Sequence, residues 1–87
     1  MRITKPSTKP RGSDLTRHVG ERLFRLRQLN QMTMRTVAEG AGLSVAFVCE
    51  IENGHACPSI ETLWKLAQFF GEDVGWFVDG YKEHNDA

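Results

Sequence analysis

Apolar side chains recur at every third or fourth position through most of the chain, and this spacing is typical of helices with one buried face. After the capping residue Ser13, the first run predicts a helix that continues to about Asn30. Its apolar positions are Leu15, Val19, Leu23 and Leu26. Gly20 lies inside this run, where glycine costs about 1 kcal/mol relative to alanine. We therefore expect Gly20 at a point of close helix packing.

Four shorter helices are predicted after the first. Capping and chain-reversing residues mark the limits of three of them: Thr33 and Gly42, Ser44 and Asn53-Gly54, and Pro58-Ser59 and Gly71. The positions expected to face inward are Val37, Ala38, Ala41, Leu43, Val48, Ile51, Ile60, Leu63, Leu66, Ala67 and Phe70. A fifth short helix is predicted over 73–79 and carries Val74, Trp76, Phe77 and Val78. No run alternates with a period of two, so the pattern indicates an all-α fold with five helices.

Length and charge divide the chain into three parts. Its 87 residues suffice for one domain. Eleven basic and eleven acidic side chains cancel overall, but residues 1–13 hold four bases and no acid, and residues 72–87 hold five acids and one base. The sequence thus predicts a flexible basic arm at 1–13, a domain at 14–80 and an acidic tail at 81–87.

The sequence indicates neither a membrane protein nor an enzyme. No apolar run approaches the roughly 18 residues of a membrane helix, and no apolar segment of signal-peptide type follows the basic N-terminus. Cys49 and Cys57 are expected to be reduced thiols of a cytoplasmic protein. With His55 they make three possible ligands where zinc takes four, so no metal or cofactor is expected. His18 and His84 lie far apart and form no catalytic arrangement.

The segment 34–53 has the spacing of two helices joined by a tight turn. Ala38 is small enough for a second helix to cross closely, and Gly42 follows four residues later, where φ is expected to be positive. Leu43, Val48 and Ile51 then fall on one side of the second helix. Together these offsets predict a helix-turn-helix unit.

From about residue 19 to residue 80 the chain resembles the lambda-repressor and Cro-like helix-turn-helix proteins, also called the xenobiotic-response-element type. The resemblance is carried by VGERLFRLRQLNQMT, VAEGAGLS, IENG, PSIETLWKLAQFFG and DVGWFVDG. It implies a five-helix lambda-repressor-like domain that binds double-stranded DNA. It also implies a buried ion pair between Arg27 and Glu52, which would hold the recognition helix on the domain.

The resemblance further implies two sets of DNA contacts. The base-contacting positions would be Ser44, Val45, Ala46 and Glu50. The phosphate-contacting positions would be Thr33, Met34 and Arg35 on one strand, and Asn53, Gly54 and His55 on the other, assisted by the helix N-terminus at Ser59.

The chain departs from the family at the interface. Met34 stands where glutamine is common, and Val45 and Ala46 stand where polar or basic residues are usual. The third helix has no Lys or Arg, although Lys and Arg supply most non-specific DNA affinity. The basic arm is one possible source of charge, and a solubilising tail is the alternative. Its basic residues are Arg2, Lys5, Lys9 and Arg11.

The last two helices carry more apolar area than one small core needs, which favours a homodimer contact through Phe69, Trp76 and Val78. The resulting hypothesis is a homodimeric cytoplasmic regulator, of repressor type, that binds a short near-palindromic operator and is controlled by its concentration or by a regulatory protein. Two alternatives remain open. One is a helix-turn-helix module that binds protein, such as an antirepressor. The other is an antitoxin whose acidic tail meets a basic partner.

Overall fold

The computed structural model describes residues 13–82, which form four α-helices with short connections. The helices are α1 (Asp14–Leu29), α2 (Met34–Ala41), α3 (Val45–Glu52) and α4 (Ile60–Phe70). A 3₁₀ turn, Val74–Phe77, follows α4, and no strand occurs within residues 13–82. The all-α prediction is therefore confirmed, and the first four helices lie where the sequence placed them.

The fifth predicted helix, over 73–79, is wrong in type and in length. Its backbone bonds span three residues instead of four: Trp76 N–H donates to the carbonyl of Asp73 (2.9 Å) and Val78 N–H to that of Gly75 (3.1 Å). The carbonyl of Trp76 accepts from Asp79 N–H, three residues later (3.3 Å), and from the side chain of Arg22. The Arg22 Nε and Nη2 donate to this carbonyl at 3.0 and 2.7 Å. In a continuing α-helix this carbonyl would accept from an N–H four residues later.

Each α-helix begins at a hydroxyl side chain that accepts a hydrogen bond from the backbone N–H three residues on, at 3.0–3.1 Å. The pairs are Ser13–Thr16, Thr33–Thr36, Ser44–Phe47 and Ser59–Thr62. Such caps satisfy one of the unpaired N–H groups of a helix start and contribute about 1 kcal/mol each. In three of the four pairs the two hydroxyl groups also bond to each other.

The core lies between all the elements. Helix α3 packs against α1 and α2, α2 also packs against α4, and the 3₁₀ turn packs against α1 and α4. The largest fully buried side chains are Phe77, Leu23, Ile51, Leu66, Val37 and Val48. Two positions predicted to face inward are exposed: Leu15 by 38% and Ile60 by 69%. Both lie in the first turn of a helix, and the packed core begins one turn later.

After the 3₁₀ turn the chain returns to α1. His18 Nε2 donates to the carbonyl of Asp79 (2.7 Å), and the ring of Tyr81 meets the His18 ring edge-on at 5.5 Å. The Arg22 guanidinium lies 3.8 Å from the centroid of the Trp76 ring, a cation–π contact. These contacts bring the two ends of the described chain to one corner of the domain.

Candidate nucleic-acid interface

Helices α2 and α3 are joined by a tight turn at Gly42. Its φ is +75°, in the left-handed region that glycine adopts without steric cost, as the sequence predicted. Leu43 N–H donates to the carbonyl of Ala38 at 2.8 Å, which closes the end of α2. Ala38 itself is fully buried. The chain thus reverses within one turn, and α3 packs directly on α2.

The other neighbour of α3 is α1, and Gly20 makes the close approach possible. A side-chain carbon at Gly20 would overlap the carbonyl oxygen of Ile51 and come within 3.0 Å of that of Glu52. The absence of a side chain therefore lets α1 rest against the C-terminal carbonyls of α3. This agrees with the close packing expected at this glycine.

A buried ion pair connects the same two helices. Arg27 Nε donates to Glu52 Oε2 (2.6 Å) and Arg27 Nη2 to Glu52 Oε1 (2.9 Å), while Nη1 donates to the carbonyl of Met32 (2.9 Å). The side chains are only 11% and 3% exposed. The hydrogen bond that Arg27 donates to Glu52 favours the charged guanidinium and raises the pKa of Arg27 above its ordinary value, against the opposing effect of burial. Paired in this way, Glu52 fixes the C-terminal end of α3 to the rest of the domain.

The outward side of α3 carries the residues that the sequence assigned to base contact. Ser44, Val45, Ala46 and Glu50 are all exposed. Ser44 caps α3, Val45 and Ala46 lie in its first turn, and Glu50 lies in its second turn, two positions before Glu52. The opposite side of α3 packs against α1 and α2.

Cys49 lies within this outward side, and the sequence reasoning did not include it among the base contacts. It is half-buried, and its Sγ accepts a hydrogen bond from Asn53 Nδ2 at 3.4 Å. Cys49 is four residues from both Val45 and Asn53, and this spacing places the three residues on the same side of the helix. The thiol therefore orients the Asn53 amide along the edge of the outward face.

The cap of α3 differs from the other three caps. Ser44 Oγ accepts from the N–H of Phe47 at 3.0 Å, but Phe47 has no hydroxyl group to pair with it. Among residues 13–82, the other capping hydroxyls each meet a threonine hydroxyl. The hydroxyl hydrogen of Ser44 consequently remains available to donate to a ligand.

The start of α2 presents one cation. Thr33 caps the helix through the N–H of Thr36 (3.0 Å), and Arg35 is exposed beside it. Met34 is half-buried, and its side chain packs against the core.

The turn after α3 is held by its own backbone. Gly54 has a φ of +77°, and the N–H groups of His55 and Ala56 both donate to the carbonyl of Glu50, at 2.9 and 3.3 Å. The side chains of Asn53 and His55 are exposed, as is Ser59 at the start of α4. Gly54, which was also assigned to this strand, is buried, and so is Pro58, so Asn53, His55 and Ser59 are separate exposed positions along this segment.

The three residues assigned to a dimer contact differ in their exposure to solvent. Phe69 is half-buried, and its ring fills the space beside Gly40. Trp76 is half-buried under the Arg22 guanidinium. Val78 is 41% exposed, and Trp64 on α4 is 56% exposed.

Several sequence predictions concern other parts of the molecule. The arm residues Arg2, Lys5, Lys9 and Arg11 lie outside the described residues. Across residues 13–82, no group of three His, Cys, Asp or Glu side chains is placed to hold a metal ion. Within the same range, no helix has the length and apolar character needed to cross a membrane.

Helices α2 and α3 are both capped, and a left-handed glycine reverses the chain between them. A buried ion pair holds α3 against α1. This arrangement defines the helix-turn-helix class of proteins. A family model described as helix-turn-helix (HTH_3) matches residues 23–77. The chain belongs to this Cro/C1-type helix-turn-helix family of DNA-binding transcriptional regulators, and the resemblance described from the sequence is confirmed.

Two relatives illustrate the family. The HTH-type transcriptional regulator DdrOP3 of Deinococcus deserti is 35% identical over 66 residues, which cover 76% of this chain and 51% of the relative. The HTH-type transcriptional regulator SutR of Escherichia coli is 35% identical over 65 residues, which cover 75% of this chain and 36% of the relative. The chain therefore spans about half the length of the first relative and about a third of the second.

Solved structures show the same fold. The restriction-modification controller protein C.AhdI of Aeromonas hydrophila superposes with a TM-score of 0.69 at 26% identity, covering 71% of this chain and 94% of that one. An HTH_3 family transcriptional regulator of Vibrio cholerae gives a TM-score of 0.70 at 28% identity, covering 75% of this chain and 38% of that one.

Proposed function

We propose that this protein is a transcriptional repressor that binds a short, near-palindromic operator as a homodimer in the cytoplasm. The observation that carries the proposal is the exposed outward side of α3, with Ser44, Val45, Ala46 and Glu50, on a helix fixed from behind by the Arg27–Glu52 pair. A rigid helix with one free face can present side chains to base edges in a fixed register.

The chemistry of this face favours particular bases. Val45 and Ala46 can contact the methyl groups of thymine, and the Glu50 carboxylate can accept a hydrogen bond from N4 of cytosine. The Ser44 hydroxyl can donate to a base acceptor. None of these groups attracts phosphate, so their contribution is to sequence preference.

Phosphate contacts are proposed on both sides of α3. Thr33, the Met34 N–H and Arg35 meet one strand, and Asn53 and His55 meet the other. The N–H groups at the start of α4, after Ser59, assist on the second strand. The arm residues Arg2, Lys5, Lys9 and Arg11 add positive charge beyond the domain.

A homodimer supplies the affinity that one short recognition helix lacks. Two copies related by a two-fold axis place their recognition helices about 34 Å apart, one turn of DNA. The dimer contact is proposed at the C-terminal part of the domain, through Val78, which is exposed, and through the half-buried Phe69 and Trp76.

The test is selection of bound duplexes from a random DNA pool with the purified protein. Enrichment of a near-palindrome supports the proposal. Ala46→Asp serves as the matched control, because a carboxylate in the first turn of α3 stabilises the helix start but repels DNA at the interface. We expect this variant to stay folded and to enrich nothing.

A second candidate function follows from the absence of Lys and Arg in α3. An apolar and acidic face of this kind also suits a protein partner, as in an antirepressor or an antitoxin. If the wild-type protein enriches no sequence in the selection, this protein-binding function replaces operator binding.

A further inference from the structure

Arg17 lies beside the turn that follows α3. Helix α1 crosses the C-terminal end of α3 at Gly20, and one turn earlier it meets Gly54. A side-chain carbon on Gly54 would lie 2.8 Å from Arg17 Cγ and 3.5 Å from Arg17 Cα. The turn therefore rests on the aliphatic part of the Arg17 side chain, and Asn53 and His55 adjoin Gly54 in that turn.

The guanidinium of Arg17 is held by a weak partner. Its Nη2 pairs with Asp14 Oδ1, three residues earlier on the same helix, and the two side chains are 29% and 40% exposed. Ion pairs of this kind contribute about 0–1 kcal/mol because water solvates both partners. A DNA phosphate offers two oxygens to the guanidinium, and the neighbouring phosphates add negative charge. The exchange of Asp14 for a phosphate therefore costs little free energy.

Two other arginines of the domain, Arg22 and Arg27, are bound to other partners. Arg22 is bound to the Trp76 carbonyl and ring, and Arg27 to Glu52 and the Met32 carbonyl. Arg35 marks the start of α2, at the opposite end of the helix-turn-helix unit from the turn after α3. Arg17 thus provides a cation beside the 53–55 turn, where the second DNA strand is expected. Helix α3 itself has no Lys or Arg there.

We propose that Arg17 binds a DNA phosphate next to the 53–55 turn and that Asp14 occupies the guanidinium in the free protein. Arg17 and Arg35 then lie at the two ends of the recognition unit, one for each strand. This inference rests on the proposed DNA-binding function.

The experiment is titration of a mixed-sequence DNA duplex at several salt concentrations, since a phosphate contact does not depend on sequence. Arg17→Gln is compared with Arg25→Gln, a matched exposed arginine on α1. We expect Arg17→Gln to weaken binding several-fold and to lower the salt slope by about 0.9 per protomer. Arg25→Gln leaves the slope unchanged. Equal slopes for the two variants overturn the inference.

A second variant tests the role of Asp14. Asp14→Asn is expected to tighten binding, and the gain is expected to shrink strongly when Arg17→Gln is also present. An undiminished gain in the double variant means that Asp14 acts only by repelling DNA, which overturns its role as a competitor. Unfolding curves of all variants show whether the domain remains intact.

Arg35→Gln separates this inference from the function on which it rests. If the wild-type protein binds no duplex, the proposed function fails and this inference fails with it. If the wild-type protein binds and Arg35→Gln lowers the slope while Arg17→Gln does not, only the role of Arg17 is refuted.

Discussion

Arg27 and Glu52 meet through two hydrogen bonds of 2.6 and 2.9 Å although they are 25 residues apart in the sequence. The pair joins the end of α1 to the end of the recognition helix. Because both side chains are largely removed from water, each charge depends on the other for its stability. The orientation of α3 is therefore fixed by a contact that lies entirely behind the proposed interface.

Glu52→Gln is expected to destabilise the domain by about 3 kcal/mol, because it leaves the Arg27 guanidinium buried beside a neutral amide. Denaturant unfolding measures the loss. The double variant Arg27→Met with Glu52→Leu removes both charges and is expected to recover more than half of it. A double variant no more stable than Glu52→Gln would contradict this explanation.

Gly20→Ala tests the close approach of α1 to α3. Alanine favours a helix by about 1 kcal/mol relative to glycine, yet its methyl group would overlap the Ile51 carbonyl. We expect a net destabilisation of about 2 kcal/mol, since overpacking of this kind costs about 1–3 kcal/mol or more. Gly75→Ala is the control, because nothing lies within 4 Å of its added carbon. A stabilised Gly20→Ala protein would show that the helices separate freely.

Glu50 and Arg35 are expected to affect DNA binding in different ways. Glu50→Ala should remove about 1 kcal/mol of preference at one base position of each half-site. Arg35→Ala should weaken binding to every sequence alike and lower the salt slope by about one per protomer. Binding to a panel of single-base operator variants separates the two effects. Equal losses across the panel for both variants would exclude Glu50 from base contact.

Val78→Asp tests the proposed dimer. A carboxylate buried without a partner in the contact is expected to raise the dimer dissociation constant at least about tenfold. Sedimentation equilibrium measures this constant. Leu29→Asp replaces another exposed apolar residue, at the end of α1, and is expected to have no effect. If the two variants associate equally well, the dimer contact lies elsewhere.

Local sequence signals predicted what is local in the fold. Ser13, Thr33, Ser44 and Ser59 begin the helices that the spacing indicated, because a cap bonds only three residues ahead. The fifth helix was mispredicted in a segment whose contacts include a residue far away in the sequence. Arg22 binds the Trp76 carbonyl across 54 positions, and no pattern within 73–79 contains this information.

The candidate site likewise has residues that the sequence predicted and contacts that it did not. The resemblance to the family implied that Val45 and Glu50 face outward, and both are exposed. The contact between Arg17 and Gly54 was not predicted, because it depends on how α1 crosses α3. The sequence identified Gly20 as a close-packed position, but only the fold shows that the opposing surface consists of backbone carbonyls.

The return of the chain to α1 has a consequence for anything joined to this domain. His18 ties the Asp79 segment to α1, and Asp14 and Lys82 line the same shallow depression. The two ends of the described range, residues 13 and 82, therefore leave the domain at one corner. That corner also holds Arg17, so under the phosphate contact proposed for Arg17 a bulky group attached beside residue 13 or residue 82 is expected to weaken DNA binding.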